Sequence, residues 1–368
     1  MNSIHLTRAS VLALAALCAG CAADAAPGGP PPHRLDPQPL AAALSVLDYR
    51  PGDLFMMDPG GRLLLSDADA GQLIVYSMEG KEEARMGGKG AGPAEHVLPS
   101  GALVGPDGRM VVADAMLRRL SVFDARRRLV ATHPLPGMPM HLLGWSGDGV
   151  LLAWLEGADA GPVVGRVDLA TGRSRPLYRV YERIPELRPA AASALDVNPW
   201  LAATWAPDGR VLMARVESYR VVAVDALTGT VRQRFGRADV ERERPTRREA
   251  AETEARLAAM FRTAGMPAEA SAGLIREARE RPKPFFLMNA FAADARGRLW
   301  IATQRGGDGH TELDLFDADG TFLRTVAVRD RVRRIAVSLP YLAVLVERRS
   351  GPQEGAEGVD VYRVDALP

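Results

Sequence analysis

The sequence predicts an all-β fold, a six-bladed β-propeller with a helical hairpin inserted between blades four and five. Three observations predict it. Five times an apolar strand runs into a tight turn carrying Asp and Gly, usually closed by Arg, and out into a second apolar strand. The phrase recurs at a period of roughly 40–50 residues with several short strands per period, the signature of a propeller. The interval from Gly209 to Gly297, 88 residues, is far longer than the 47 from Gly61 to Gly108, and its excess has helical periodicity.

The turns are Asp58-Pro59-Gly60-Gly61-Arg62, Asp107-Gly108-Arg109, Asp148-Gly149-Val150, Asp208-Gly209-Arg210 and Asp294-Ala295-Arg296-Gly297-Arg298. Their Asp-Gly pairs supply the φ > 0 positions of a tight hairpin, which residues with a Cβ resist. Each unit reads as four strands; in the second they are 101–105, 110–114, 119–124 and 129–132. Third strands of similar pattern recur at 73–76, 167–168, 222–225, 315–317 and 361–365. A sixth, degenerate unit consists of 335–338, the turn Leu339-Pro340, 341–346 and 359–365, with no outer strand after it. Residues 41–48 precede the first blade without another partner, and pairing them with the third strand of blade six would remove an exposed edge. A two-sheet sandwich could use the same hairpins, but it would not ordinarily repeat one hairpin phrase so regularly.

Gly87-Gly88-Lys89-Gly90-Ala91-Gly92-Pro93, followed by Pro99, the Asp107-Gly108-Arg109 turn and Arg119 to Asp124, resembles a blade of the NHL-type six-bladed propellers of exported bacterial proteins. The resemblance spans about 50–367 and is carried most fully by blade two. It implies a fold and a habit of presenting a binding face; it carries over no catalytic residue.

Met1 to Ser10 holds Arg8 and no acidic residue, and Val11 to Ala19 is an apolar run too short for a membrane-spanning helix. The run ends in Leu17-Cys18-Ala19-Gly20-Cys21, which is similar to a bacterial lipobox with Cys21 as the lipidated residue, although Cys18 stands where Leu is usual. Residues 1–20 are therefore expected to be a lipoprotein-type signal peptide. An ordinary cleaved leader, ending near Ala26, is the alternative. Residues 21–40, rich in Ala, Pro and Gly, read as a flexible tether, and 41–368 as the propeller. The expected location is the cell envelope, at an outer membrane facing the periplasm if the organism has two membranes.

Both cysteines lie within the leader, so the propeller must close without a disulfide. With 46 basic and 45 acidic residues there is no cationic surplus to drive nucleic-acid binding. The expected partners are a membrane, reached through the lipid anchor, and a protein, peptide or small-molecule ligand. No nucleic acid and no cofactor is expected, and the chain should act as a monomer.

The insertion covers 238–284. Thr246 and Glu249 form a capping box, and Ala250, Thr253, Leu257, Met260, Phe261 and Ala264 then fall on one helical face. After Gly265, Met266-Pro267 starts a second helix with Leu274, Ile275 and Ala278, closed by Pro282. The narrow apolar stripe predicts docking on the propeller rim beside blades four and five.

Propeller topology puts this link, and the links between second and third strands, on one rim. The candidate binding face there comprises Arg118, Trp154, Arg215, Glu217, Tyr219, Gln304, Arg305 and His310. Trp145 and Trp300 read as blade core, and Trp200 and Trp205 as neighbours of that face. The expected function is non-catalytic binding or scaffolding. The alternative is a lactonase-like hydrolase or lyase with its site in the central channel. Against it, His33, His96, His133, His141 and His310 include no pair at metal-ligand spacing, and neither a nucleophile elbow nor a P-loop occurs.

Overall fold

The computed structural model describes residues 31–38, 44–156, 161–189, 201–263, 266–307 and 309–367. The leader with Cys21, and Trp200, lie outside the described residues. A short strand β1 (His33–Arg34) precedes six sheets arranged as successive blades. Blade one is β2 (Pro51–Met57), β3 (Leu63–Asp67), β4 (Gln72–Tyr76) and β5 (Glu82–Gly87). Blade two is β6 (Pro99–Val104), β7 (Met110–Asp114), β8 (Arg119–Phe123) and β9 (Leu129–Pro134). Blade three is β10 (Met138–Ser146), β11 (Gly149–Leu155), β12 (Pro162–Asp168) and β13 (Ser174–Arg179), followed by the short helix α1 (Val180–Arg183). Blade four is β14 (Leu201–Trp205), β15 (Arg210–Arg215), β16 (Arg220–Asp225) and β17 (Val231–Gly236). The hairpin of α2 (Arg247–Thr263) and α3 (Ala268–Glu280) follows. Blade five is β18 (Phe286–Ala293), β19 (Leu299–Thr303), β20 (His310–Phe316) and β21 (Phe322–Arg329); blade six is β22 (Arg331–Ser338), β23 (Tyr341–Glu347) and β24 (Glu357–Arg363).

The first turns show why Asp, Gly and Arg recur. Asp294 accepts the backbone N–H of Arg296 and Arg298, the Arg298 Nε at 2.7 Å and the indole N–H of Trp300. Asp58 grips Arg62 in the same way, through its backbone N–H and its Nε, both at 2.8 Å. Gly61, Gly108, Gly209 and Gly297 take φ between 79° and 84°, as the hairpin reading requires. Blade three departs from it. There the left-handed residue is Gly147, and Gly149 is already the first residue of β11, so the turn is Gly147-Asp148.

The core lies between blades rather than at one centre. Leu54, Leu64 and Leu73 of blade one pack with Met110, Val112 and Phe123 of blade two. Each further pair of neighbours shares such a cluster. The ring closes where Leu65 and Ile74 of blade one meet Leu345, Val359 and Val361 of blade six.

Blade six has three strands, and Leu44 and Leu47 hydrogen-bond along the edge of β24, at Val359 and Glu357. No strand is formed among residues 44–48, and 41–43 lie outside the described residues. The tether expected over 21–40 is not free along its whole length. His33 and Arg34 pair in parallel with Val326 and Ala327 of β21, the Leu35 N–H donates to Ala327, and Leu35 packs on the core. Leu35 is the apolar residue that a reading by Pro and Gly content passes over.

The capping box forms as expected: Glu249 N–H donates to Thr246 Oγ1 at 3.2 Å, and Thr246 N–H to Glu249 Oε2 at 2.8 Å. The hairpin leans onto blade six, however, rather than resting on the rim of blades four and five alone. Glu252 pairs with Arg349 at 2.9 Å and with Arg331 at 3.1 Å, and Arg248 with Glu354 at 2.9 Å. Ion pairs, not the apolar stripe, make these contacts. Of that stripe Phe261 is buried, but Met260 is 51% exposed.

Candidate functional site

The hairpin and the starts of the inner strands enclose a cavity of about 880 Å³ at the channel mouth. Its walls include Arg50, Arg242, Arg256, Arg281, Arg333 and Arg334, against the carboxylates Asp53, Glu217 and Glu357. Blade six contributes Arg333 and Arg334 because β22 opens on a run of arginines instead of an apolar stretch. Arg50 directly precedes β2 of blade one, and the hairpin contributes Arg242, Arg256 and Arg281 from its flanks and from α2. Arg242 donates to the Lys283 carbonyl at 2.8 Å and to the Pro282 carbonyl, which fixes the exit of α3 against the entry of α2. Lys283, buried, pairs with Glu243 at 3.1 Å and Glu249 at 3.3 Å.

The electrostatics are those of crowded cations. Burial lowers the pKa of the Arg334 guanidinium and Arg333 adds to the effect, while its ion pair with Asp53 opposes both. The Arg256 side chain reaches solvent, yet surrounding protein, with Arg333 and Arg331, lowers its pKa too. All remain charged at neutral pH, since arginine titrates far above it. Burial raises the pKa of Glu357, against the pull of Arg333. An anion entering this mouth would relieve repulsion among guanidinium groups, and fork-shaped donors suit carboxylate, sulfate or phosphate oxygens.

Below the mouth a second cavity, of about 650 Å³, runs along the channel toward the Asp-Gly turns. The two share Asp53, Asn289 and Arg334. A further cavity of about 730 Å³ lies against blade six and the N-terminal segment. Its Arg348 is already bonded to Asp360 at 2.7 Å, Asp330 at 3.1 Å and the Ser45 carbonyl, so its charge is neutralised internally.

Of the expected face residues, only Glu217 lines the mouth. Trp154 is fully buried in the core between blades two and three, because its ring reaches over Gly165 of the neighbouring strand and fills the space a side chain there would take. Tyr219 is buried among Phe285, Phe286 and Phe316, and its hydroxyl donates to Asp314 at 2.5 Å. Arg305 is drawn to the same carboxylate, at 2.6 Å, with Thr325 a third donor at 2.6 Å. Asp314 has no exposed surface, so these donors serve to satisfy it. Arg215 bonds the Arg188 carbonyl at 2.8 Å and Glu217 at 3.3 Å. Gln304 is half-buried, its backbone N–H donating to Phe285. His310 begins β20, half-buried, and Arg118 is exposed in a turn with φ 48°. Trp205 lines the turn side of the channel, away from the expected face; Trp145 lines it too while packing, partly buried, against the core between blades two and three, and Trp300 is core.

Sequence reading missed the arginines. The run Arg331-Val332-Arg333-Arg334 opening an inner strand was the available signal. Among the described residues no group of three or more His, Cys, Asp or Glu side chains converges to hold a metal. His96 is fully buried, 3.9 Å from Asp114, and burial lowers its pKa; His133 and His141 bond the carbonyls of Leu169 and Leu201, at 2.9 Å each.

No protein-family model and no curated protein sequence matches the chain. Solved structures do match it in fold. A gluconolactonase from Xanthomonas campestris superposes with a TM-score of 0.51 at 14% identity, over 92% of this chain and 98% of that one. A member of the DUF4221 family from Bacteroides vulgatus gives 0.52 at 9%, over 86% and 94%. A putative exported protein from Bacteroides fragilis gives 0.51 at 11%, over 90% and 94%. At such identities the likeness is one of fold: this chain is a six-bladed propeller. A shared propeller carries no activity across.

Proposed function

We propose that this protein is a non-catalytic binding propeller that captures an anionic ligand at the channel mouth, beneath the helical hairpin. The observation that carries the reading is the gathering of six arginines against three carboxylates around one cavity. The size is within the range of small-molecule sites, roughly 300–1,000 Å³. The NHL-type likeness of blade two and the leader ending in Cys21 support an exported, lipid-anchored form working at the cell envelope. The lactonase-like alternative has only the shared propeller in its favour.

Titration calorimetry with sodium sulfate at low ionic strength tests the binding. The double variant Arg333→Ala, Arg334→Ala should weaken sulfate binding by at least about tenfold, the effect of losing charge-assisted hydrogen bonds. Unchanged affinity in the folded variant would refute the site. For the anchor, Cys21→Ser should leave the protein exported but soluble, because stable retention needs the acyl chains. Wild-type protein found wholly in the soluble fraction would refute lipidation.

A further inference from the structure

We infer that the captured anion is a phosphomonoester whose doubly charged phosphoryl group bridges Arg256 of the hairpin and Arg333 of blade six. The inference rests on the anion-binding reading and deepens it. What carries it is a like-charged pair at the place where the hairpin's ionic contact with blade six would otherwise repeat.

Glu252 of α2 reaches Arg331 at 3.1 Å and Arg349 at 2.9 Å, and so holds the helix against the start of β22. One helical turn further, about 6 Å along the axis, α2 carries Arg256 on the same face. Two residues along β22, a comparable step of roughly 6.6 Å, stands Arg333. Arg333 is the extra residue of a β-bulge, since Val332 pairs with Val346 and Arg334 with Leu345. Bulges re-aim a side chain, and both Arg333 and Arg256 line the mouth cavity. The two guanidinium groups lie within electrostatic reach: after burial, Arg333 and then Arg331 are what lower the pKa of Arg256. An ion pair at the first step is thus followed by a repulsive pair at the second. Arg333 has Glu347 at 3.2 Å, whereas the Arg256 guanidinium makes no hydrogen bond or ion pair with any described residue.

An anion between these arginines is met by donors from two sides. A carboxylate has one charge and two oxygens in one plane, which a single guanidinium fork satisfies. A phosphoryl group has three oxygens on a tetrahedron and close to two charges at neutral pH, enough for a fork from each side. The cavity, about 880 Å³, is of the size that takes a small organic molecule rather than a bare ion. Val97, Leu98 and Met288 on its wall offer apolar surface to the esterified group.

Calorimetry on the full chain at low ionic strength with phenyl phosphate, benzoate and inorganic phosphate separates charge from ring. Phenyl phosphate should exceed benzoate by at least about tenfold, the effect of added charge-assisted hydrogen bonds. It should exceed inorganic phosphate by at least about threefold through burial of the ring. Arg256→Gln should bring phenyl phosphate down to the affinity of benzoate. The position is exposed and glutamine favours helix, so this variant keeps the fold. Arg256→Glu should complete a second ion pair with Arg333. It should lose phenyl phosphate binding, and amide exchange in α2 should slow without ligand as phenyl phosphate slows it in the wild type. Benzoate as tight as phenyl phosphate, or an Arg256→Gln variant with unchanged affinity, would overturn the bridge and leave the anion site standing. So would an Arg256→Glu variant whose α2 exchanges as fast as the unliganded wild type. Inorganic phosphate binding as tightly as phenyl phosphate would overturn the ester. Failure of phenyl phosphate and sulfate alike to bind would overturn both readings.

Discussion

Glu357 sits in an arginine-rich mouth, yet burial raises its pKa against the opposing pull of Arg333, Arg334 and Arg50, with Glu347 adding to the rise. The consequence for binding has a definite sign. Protonating Glu357 removes a negative charge from a site that holds anions, so sulfate affinity should increase as pH falls through a window above the ordinary carboxylate range. Glu357→Gln should bind sulfate more tightly at neutral pH and lose the dependence in that window. A variant whose profile stays parallel to the wild type would show that another group titrates. Stability follows the same linkage. A carboxyl whose pKa is raised by folding contributes most below its unfolded pKa, and that contribution is lost as pH rises through the folded value. The glutamine variant should therefore melt no lower than the wild type at neutral pH. Asp314 shows the opposite design at a similar scale: a buried carboxylate whose donors, Tyr219, Arg305 and Thr325, are consumed in satisfying it. That is why three polar residues of one neighbourhood build structure rather than a surface.

The hairpin is the element that turns a propeller face into an enclosed mouth. Its footing on blade six consists of Glu252 with Arg349 and Arg331, and Arg248 with Glu354. The Arg331 and Arg248 pairs are partly exposed and contribute about 0–1 kcal/mol each, whereas Arg349 is itself buried where it meets Glu252. Replacing Arg244 to Pro282 by a short Gly-Ser link should leave the blades folded, because they pack through their own inter-blade clusters, and should weaken sulfate binding by at least about tenfold through loss of Arg256 and Arg281. Full binding by the trimmed protein would make the hairpin incidental; failure to fold would make it part of the core. The boundaries of this element were legible in the sequence, since a capping box and a proline restart are local signals. So were the blades, whose Asp-Gly-Arg turns are tied by contacts within about five residues. The site was not. Its arginines come from the starts of β2 and β22, from within α2 and from both flanks of the hairpin, and only the closed ring brings them together. Trp154 and Tyr219 look like surface groups when placed by strand order, and the side on which a strand end turns inward is decided by the neighbouring blade.

Ring closure belongs to the whole molecule, and it has no covalent link to rely on. The N-terminal segment spans two blades: His33 and Arg34 lengthen blade five, Gln38 donates to Val361, and Leu44 and Leu47 follow β24. Leu44 is buried with Leu345 and Val359, so the segment adds apolar contact to the blade six–blade one seam as well as hydrogen bonds. The close approach is visible in Gly358, where a Cβ would fall 2.1 Å from the Ser45 carbonyl oxygen. Two perturbations should then converge. A chain beginning at Pro51 exposes the edges of β21 and β24, and should aggregate or lose its cooperative transition, as unpaired edges invite. Gly358→Val keeps every residue of the segment but forbids its approach, and should lower the melting temperature by several degrees, as a loss of about 1–3 kcal/mol by overpacking implies. A chain from Pro51 that melts like the full domain would mean that the β22–β24 sheet and the blade one core close the ring unaided. Gly358→Val matching the wild type would mean that the Ser45 contact contributes nothing, whichever way the truncation behaves.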